Sequence, residues 1–176
     1  MTTPTIIILI GLPSSGKSAI GQLLAQKLEY KYIDTDSLII SYCTKNNENI
    51  TTVQECFTTL GEMEFRDREK KLIRELFENE SEKSLVISTG GGAIIDPENR
   101  NIFKANGVII FIDTPLEIIK SRIQVQPERP LIGKNILAKL DQLNAERRSI
   151  MEKLADVRVD GNGSADEVCT KIIAQF

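Results

Sequence analysis

Short apolar runs alternate along the chain with longer stretches in which apolar residues recur at helical spacing. The apolar runs predict five β-strands, over residues 5–10, 32–34, 85–88, 108–112 and 157–159. After the first of them, an amphipathic helix is predicted by the recurrence of Ile20, Leu23, Leu24 and Leu28. Because strands that alternate with helices form parallel βαβ units, the pattern predicts an α/β protein with a parallel sheet.

Capping residues mark several of the predicted helix ends. Thr52 and Glu55 have the spacing of a capping box, and Gly61 interrupts the helix that starts there. Residues 62–78 continue as a charged helix. Two more helix starts are predicted at Asp96, which precedes Pro97, and at Ser164, which precedes Glu167 by three positions.

Composition limits the class of protein. At 176 residues the chain has the size of one domain, and 41% hydrophobic residues are enough to form a core. The net charge of −3 argues against a general attraction to nucleic acid or anionic lipid, and the apolar runs are too short to span a bilayer. The chain has no histidine, which excludes histidine acid–base chemistry, and its three cysteines lack metal-ligand spacing. We therefore expect reduced thiols and a cytoplasmic protein.

A phosphate-binding motif follows the first predicted strand directly. Residues 11–18, Gly-Leu-Pro-Ser-Ser-Gly-Lys-Ser, match G-x-x-x-x-G-K-[ST]. Where a buried strand ends and a helix begins, free backbone N–H groups and the helix dipole point at a bound phosphate. Lys17 is then expected to reach the β- and γ-phosphates, and Ser18 to ligate Mg²⁺. The alternative, a glycine-rich turn with a solvated lysine, is disfavoured by the flanking strand and helix.

Two aspartates, Asp34 and Asp36, stand at the end of the second predicted strand. Ligands of open parallel sheets bind beyond this end of the strands. One carboxylate could hold Mg²⁺ or its water, and the other could accept a proton from a substrate hydroxyl. The alternative is a polar turn in which one aspartate caps a helix.

Two further features are ambiguous when read from the residues alone. Arg66 has Glu62 and Glu69 at helical spacing, which suits a surface salt-bridge ladder, but its guanidinium could also bind a substrate carboxylate. Three glycines, residues 90–92, follow the third predicted strand. A sharp turn needs one such glycine, whereas three suit a backbone that a ligand approaches closely.

Arg122, Arg129 and Arg147 are later basic candidates, and for each a solvated surface is the simpler alternative. Arg129 lies in the loosest stretch of the chain, about residues 124–134, which is either a connector or a mobile lid. In a lid, its guanidinium could close over a transferring phosphoryl group.

Taken in order, these motifs resemble the shikimate kinase family. The likeness rests on residues 11–18, Asp34-Thr-Asp36, Gly61-Glu-x-x-Phe65-Arg66, residues 90–92, Arg129-Pro-Leu131, and Glu146-Arg147 followed by Ala155-Asp156. It implies a P-loop NTPase fold like that of nucleoside monophosphate kinases, a three-layer sandwich whose five-stranded parallel sheet, in order 2-3-1-4-5, is flanked by helices. It also implies a single kinase domain over 1–176, with a substrate-binding helical region at about 35–62 and a lid at about 122–134.

The resemblance implies MgATP-dependent phosphorylation of the 3-hydroxyl of shikimate, on the pathway to chorismate and the aromatic amino acids. The cofactors would be ATP and Mg²⁺, and the partners shikimate and ATP, with no nucleic acid or membrane and with the chain as a monomer. ATP would be bound by Pro13, Ser14, Ser15, Gly16, Lys17, Ser18, Ala19, Arg122 and Arg129, with Arg122 beside the adenine. Shikimate would be bound by Asp36, Arg66, Gly90, Gly91, Gly92 and Arg147. Mg²⁺ would be held by Ser18 and, through water, by Asp34, and catalysis would fall to Lys17, Asp36 and Arg129.

Two other functions stay open on the residues. Another small-molecule P-loop kinase, acting on gluconate or dephospho-coenzyme A, would share the phosphate loop but should not need both the triple glycine and Phe65-Arg66. A nucleotide-dependent binding module without catalysis would not need the joint presence of Lys17, Ser18, Asp34, Asp36 and Arg129. Turnover with each acceptor offered separately distinguishes these functions.

Overall fold

A parallel β-sheet forms the centre of the structure, a computed structural model that describes residues 4–45, 50–80, 84–124 and 136–176. The strands in this part of the chain are β1 (Ile6–Ile10), β2 (Lys31–Asp34), β3 (Leu85–Ser88), β4 (Val108–Asp113) and β5 (Val157–Asp160). They lie in the order β2-β3-β1-β4-β5, and every neighbouring pair is parallel. The expected strand order is confirmed.

Helices cover both faces of the sheet. They are α1 (Lys17–Leu28), α2 (Thr35–Lys45), α3 (Val53–Glu80), α4 (Pro97–Asn106), α5 (Leu116–Gln124), α6 (Ile136–Leu154) and α7 (Ala165–Ile173), with a 3₁₀ turn at Ala93–Ile95. From β1, Ile7 and Leu9 pack with residues of α1 and α7, whereas Ile8 and Ile10 pack with residues of α3, α4, α5 and α6. Because both faces are covered, β1 is an unbroken apolar run and is buried throughout. The expected three-layer architecture is therefore confirmed.

The predicted strand bounds are wrong by one residue at several ends. β1 begins at Ile6 rather than Thr5, and β2 begins at Lys31. β4 and β5 each continue through an aspartate, Asp113 and Asp160, which face each other in the register. The hydrophobic pattern ends at the last apolar residue, but the ladder joins backbone groups and does not depend on side-chain polarity.

The capping interactions and the helix interruption that the sequence predicts are present in the structure. Thr52 Oγ1 accepts from the Glu55 N–H at 3.1 Å, and the Glu55 carboxylate accepts from the Thr52 N–H at 3.0 Å. Gly61, with φ 75° and ψ 163°, interrupts α3 as expected. Asp96 caps α4, and Ser164 forms the capping box of α7. Among the described helices, none combines the length and the apolar character needed to cross a membrane.

A separate apolar cluster lies between α2 and α3, and we call it the α2–α3 core. Its buried members are Ile39, Cys43, Ile50, Cys56 and Phe65. It is distinct from the two clusters on the faces of the sheet. α2 and the first half of α3 therefore pack against each other around a core of their own.

Most of the expected lid lies outside the described residues. α5 ends at Gln124 and α6 begins at Ile136, so Arg129 is not part of the structure described here. The lid at about 122–134 and the role of Arg129 therefore stay predictions from the sequence.

Candidate active site

The phosphate loop, residues 11–18, joins β1 to α1. Lys17 is the first residue of α1, and its Nζ donates to the Leu12 carbonyl oxygen at 2.8 Å. Gly16 is the N-cap, and glycine has no side chain that could cap the first N–H groups of the helix. The first backbone N–H groups of α1 are thus directed towards the loop, as phosphate binding requires.

The loop is held from the side of β4 and α5. The carbonyl oxygen of Ser15 accepts from Thr114 Oγ1 at 2.9 Å and from Arg122 Nη1 at 2.9 Å. The family resemblance implied that Arg122 lies beside the adenine, and in the structure its guanidinium donates to the backbone of the phosphate loop. Arg122 therefore contacts the phosphate loop through the carbonyl oxygen of Ser15.

Lys17 is a buried cation. Only 8% of its surface is exposed, and burial lowers the pKa of its ammonium group to about 8. Asp36 and Asp34 oppose this shift because negative charge stabilises the ammonium, whereas Arg147 adds to it. A cation that has lost its water interacts strongly with an anion brought to it, which suits the binding of a phosphate.

Asp34 is fixed by three donors. Its Oδ2 atom accepts from Ser18 Oγ at 2.9 Å and from the Tyr32 hydroxyl at 3.0 Å, and Oδ1 accepts from the Asp36 N–H at 2.9 Å. The Tyr32 ring rests on α1, where a Cβ added to Gly21 would lie 2.7 Å from Cε2 of the ring. Burial and the charge of Asp34 raise the pKa of Tyr32 to about 12, so its hydroxyl stays protonated at neutral pH.

Asp36 lies in the first turn of α2, and the positive side chains of Lys17 and Arg66 act on it. Burial raises the pKa of its carboxyl group and Asp34 raises it further, while Lys17 and Arg66 oppose the change. A carboxylate with a raised pKa is a stronger proton acceptor. The alternative role, in which one of the two aspartates caps a helix, is also present, because Asp34 accepts from the Asp36 N–H at the start of α2.

The triple glycine is the surface on which Asp36 and Arg66 rest. A Cβ added at Gly90 would lie 2.4 Å from Asp36 Oδ1, and one at Gly92 would lie 2.5 Å from Arg66 Nη2. Any larger residue would displace these two side chains. The Gly90 N–H also donates to Thr35 Oγ1 at 2.8 Å, which ties the end of β3 to the start of α2. The groups that approach the backbone of residues 90–92 closely in this structure are therefore side chains of the same chain, those of Asp36 and Arg66.

Arg66 is held by a buried carboxylate and by aromatic rings. Its Nη1 lies 2.6 Å from Glu69 Oε2, and its guanidinium carbon is 5.2 Å from the ring centre of Phe65 and 6.0 Å from that of Phe57. Burial raises the pKa of Glu69, and Arg66 opposes that change. The expected salt bridge to Glu69 is therefore present, but it is a buried support for the guanidinium instead of a surface ladder.

Arg147 reaches the same glycines from α6. Its Nη1 donates to the Gly91 carbonyl oxygen at 2.9 Å, while its buried Nε has no hydrogen-bond partner among the described residues. Burial lowers the pKa of this guanidinium, and the positive charge of Arg66 lowers it further. Two guanidinium groups that repel each other, one with a buried donor unused, suit the binding of an anion.

The structure thus brings the predicted residues of both halves of the site together, except Arg129. The sequence did not indicate Tyr32 and Thr114 as supporting residues, and it suggested a surface position for the salt bridge to Glu69, which is buried. Tyr32 precedes Asp34 by two positions on a strand, and this spacing places both side chains on one face. Thr114 gave no local signal, because it lies 99 positions from Ser15, whose carbonyl group it contacts.

Comparison with known proteins agrees with this arrangement. The family model for shikimate kinase matches residues 13–176. A shikimate kinase of Persephonella marina is 38% identical over 159 residues, which cover 90% of each chain. One of Buchnera aphidicola is 38% identical over 170 residues, which cover 95% of this chain and 93% of that protein. The structure of shikimate kinase from Acinetobacter baumannii in complex with shikimate is 32% identical, with a TM-score of 0.83 over 97% of this chain and 91% of that one. The chain therefore belongs to the shikimate kinase family.

Proposed function

We propose that this chain transfers the γ-phosphoryl group of ATP to the 3-hydroxyl of shikimate. Its family membership makes it an ATP-dependent kinase that acts on shikimate. The observation that carries the residue assignment is the placement of Asp36 and Arg66 against Gly90 and Gly92, within the electrostatic reach of Lys17. A phosphate-binding cation, a carboxylate-binding guanidinium and a proton acceptor are what phosphoryl transfer to a hydroxylated acid requires.

The two arginines suit the carboxylate of shikimate. Arg66 and Arg147 repel each other, and the Nε donor of Arg147 is buried without a partner among the described residues. A carboxylate bound by both groups would remove the repulsion and use the donor. The backbone of residues 90–92 lies against both guanidinium groups and would complete the acceptor site.

Asp36 would accept the proton of the attacking hydroxyl. The hydroxyl oxygen forms a bond to the γ-phosphorus while the bond from that phosphorus to the bridging oxygen breaks, and ADP leaves with the electron pair. The hydroxyl proton passes to the Asp36 carboxylate, whose raised pKa favours this transfer. Lys17 would stabilise the negative charge on the phosphoryl oxygens, and residues 13–19 with Arg122 would position the nucleotide.

The oxygen atoms at Ser18 and Asp34 fit Mg²⁺. They are hard donors 2.9 Å apart, and the like charges of Asp34 and Asp36 raise the pKa of Asp36. A divalent cation beside them would relieve this repulsion. We propose that Ser18 holds Mg²⁺ directly and that Asp34 does so through water. Mg²⁺ bound there would neutralise charge on the phosphates.

Replacing Tyr32 with phenylalanine is expected to weaken Mg²⁺ binding to the protein–ADP complex by about 2- to 10-fold. The variant loses one hydrogen bond that orients Asp34. Calorimetric titration of Mg²⁺ measures this loss, and the affinity for shikimate should not change. Tyr30→Phe is the matched control, because the Tyr30 hydroxyl donates to the Pro4 carbonyl oxygen instead. Equal Mg²⁺ affinity in both variants would show that Tyr32 does not support the metal site.

ATP binding is expected to take up protons near pH 8. With its pKa at about 8, Lys17 is roughly half neutral at that pH in the free protein, and the phosphate charges stabilise its protonated form. Calorimetry at pH 8 in two buffers of different ionisation enthalpy should give an uptake of about 0.5 proton per ATP, against about 0.1 at pH 7. The affinity for ATP should fall as the pH rises through about 8. An affinity independent of pH, without proton uptake, would contradict the contact between Lys17 and phosphate.

The remaining parts of the expected organisation are proposals on the same basis. We propose a single kinase domain over residues 1–176 that acts as a monomer in the cytoplasm, with residues 35–62 on the shikimate side. The position of Asp36 near one end of that segment, and of Arg66 just beyond its other end, supports this division. The closing of a lid at 122–134, with Arg129 over the phosphates, stays a prediction from the sequence.

Turnover of separate acceptors tests the proposed function. MgATP is offered with shikimate, with gluconate and with dephospho-coenzyme A in separate reactions, and the release of ADP is followed. Of the three acceptors, we expect only shikimate to give sustained turnover. Turnover with one of the other acceptors and not with shikimate would overturn the proposal, and tight ATP binding without turnover of any acceptor would favour a binding module.

A further inference from the structure

Two thiols of the α2–α3 core are in contact. Cys43 Sγ, on α2, lies 3.5 Å from Cys56 Sγ, in the first turn of α3, and the two residues are 13 positions apart in the sequence. Both are completely buried, and both are thiols. The sulfurs would need to approach by only about 1.5 Å to reach the length of a disulfide bond.

Among the described residues, the pair lies in an apolar cluster, and a guanidinium contacts Cys43. Ile39, Ile50 and Phe65 are the other buried members of the α2–α3 core, and Arg68 Nη1 lies 3.6 Å from Cys43 Sγ. A guanidinium there stabilises negative charge that develops on the sulfur during oxidation.

The third cysteine has a different environment. Cys169 Sγ donates to the Ile20 carbonyl oxygen at 3.4 Å, and burial raises the pKa of its thiol to about 11. It packs in the cluster between the sheet and the helices α1 and α7, apart from the α2–α3 core. Cys169 therefore serves as an internal control, because it should not take part in the oxidation of Cys43 and Cys56.

We propose that Cys43 and Cys56 form a modification site, a dithiol that hydrogen peroxide converts to an intrachain disulfide. One thiolate attacks a peroxide oxygen, which gives a sulfenic acid and, after protonation, one water. The second thiol attacks the sulfenic sulfur, so the S–S bond forms and a second water leaves. The two thiols lose two electrons and two protons, and the peroxide is reduced to two waters. Since both sulfurs are buried, the reaction requires local opening of the α2–α3 core.

The disulfide would act on the acceptor side of the site. Asp36 lies at the start of α2, and Cys56 immediately precedes Phe57, whose ring centre is 6.0 Å from the guanidinium carbon of Arg66. Drawing Cys43 and Cys56 together shifts the packing between the helices that carry Asp36 and Arg66. The phosphate loop is held instead by Thr114, which follows β4, and by Arg122 of α5. Oxidation is therefore expected to weaken shikimate binding and to spare ATP binding, a consequence that rests on the proposed function.

Peptide mapping after treatment with hydrogen peroxide tests the modification itself. The wild-type protein is expected to lose about 2 Da and to yield a peptide pair that links Cys43 to Cys56. Cys169→Ala should give the same linkage, whereas Cys43→Ala and Cys56→Ala should each prevent it. A model thiol added to the same reaction shows that the peroxide is active. If the model thiol is fully oxidised and the folded wild-type protein lacks the linkage, the proposal is wrong. A linkage that includes Cys169 would also overturn it.

Steady-state kinetics on the same samples test the consequence. In oxidised wild type and oxidised Cys169→Ala, we expect the KM for shikimate to rise by about 2- to 30-fold, with the KM for ATP unchanged. Dithiothreitol should reverse the change, and peroxide should leave the KM of Cys56→Ala at its untreated value. A fully linked protein with an unchanged KM for shikimate would overturn the regulatory role. Absence of shikimate turnover in untreated protein would refute the proposed function instead, and peptide mapping would still report the disulfide.

Discussion

Replacing Arg66 with alanine is expected to weaken shikimate binding by about 2–5 kcal/mol, which corresponds to roughly 30- to 5,000-fold in affinity. The variant loses the proposed contact with the carboxylate, and the buried Glu69 carboxylate loses its partner at 2.6 Å. ATP binding should be retained, because the phosphate loop is held by Thr114 and Arg122. Calorimetric titration with shikimate and with ATP separates the two effects.

Two further variants separate the contact with substrate from the effect on folding. In Arg66→Ala with Glu69→Gln, the carboxylate is no longer left charged and buried, so a loss of affinity that persists there reports the missing contact with shikimate. Arg74→Ala is the matched control, because Arg74 lies on the same helix and pairs with Glu98 at the surface. If a folded Arg66→Ala variant keeps the wild-type kcat/KM for shikimate, the assignment of the carboxylate site is wrong.

Replacing Asp36 with asparagine is expected to lower kcat by about 10²- to 10⁴-fold. The amide has the same shape but does not accept the hydroxyl proton. Because burial raises the pKa of Asp36, the wild-type rate should fall as the pH drops through this raised pKa, and the variant should lose that dependence. Above its pKa the ionised carboxylate destabilises the folded state, so the variant should unfold at the same or a higher temperature at neutral pH.

Asp166→Asn is the matched control for this substitution. Asp166 is 66% exposed and pairs with Lys27 at 2.8 Å on the surface, so its loss should leave kcat unchanged. Thermal unfolding of both variants shows whether the fold is intact. Wild-type turnover by Asp36→Asn at neutral pH would exclude Asp36 as the proton acceptor.

Much of the fold could be predicted because its signals are local. β1 is apolar at every position, and β3 is apolar up to its last residue, Ser88, because helices cover both faces of the sheet. Thr52 and Ser164 cap helices within their own turns. The ends of β4 and β5 were predicted one residue short. Each of these strands ends on a polar residue that pairs with the neighbouring strand. The hydrophobic pattern along a single strand contains no information about that pairing.

The site could be predicted as a set of parts but not as an arrangement. Lys17, Asp36 and Arg66 each belong to a recognisable motif. Asp36 and Arg66 meet beside the triple glycine, within the electrostatic reach of Lys17, only through contacts between distant segments. Arg122 illustrates the limit, because its hydrogen bond to the Ser15 carbonyl oxygen spans 107 positions. Its local spacing is that of an ordinary surface arginine, so only the folded chain reveals what it contacts.

The position of the transferred phosphate tests the central claim most directly. The wild-type protein is incubated with MgATP and shikimate, and the product is examined by correlation of its phosphorus and proton NMR signals. We expect one phosphate monoester whose phosphorus couples to the proton on carbon 3 of shikimate, formed in equal amount with ADP. Phosphate on a different hydroxyl, or release of free phosphate from ATP with shikimate unchanged, would contradict the account.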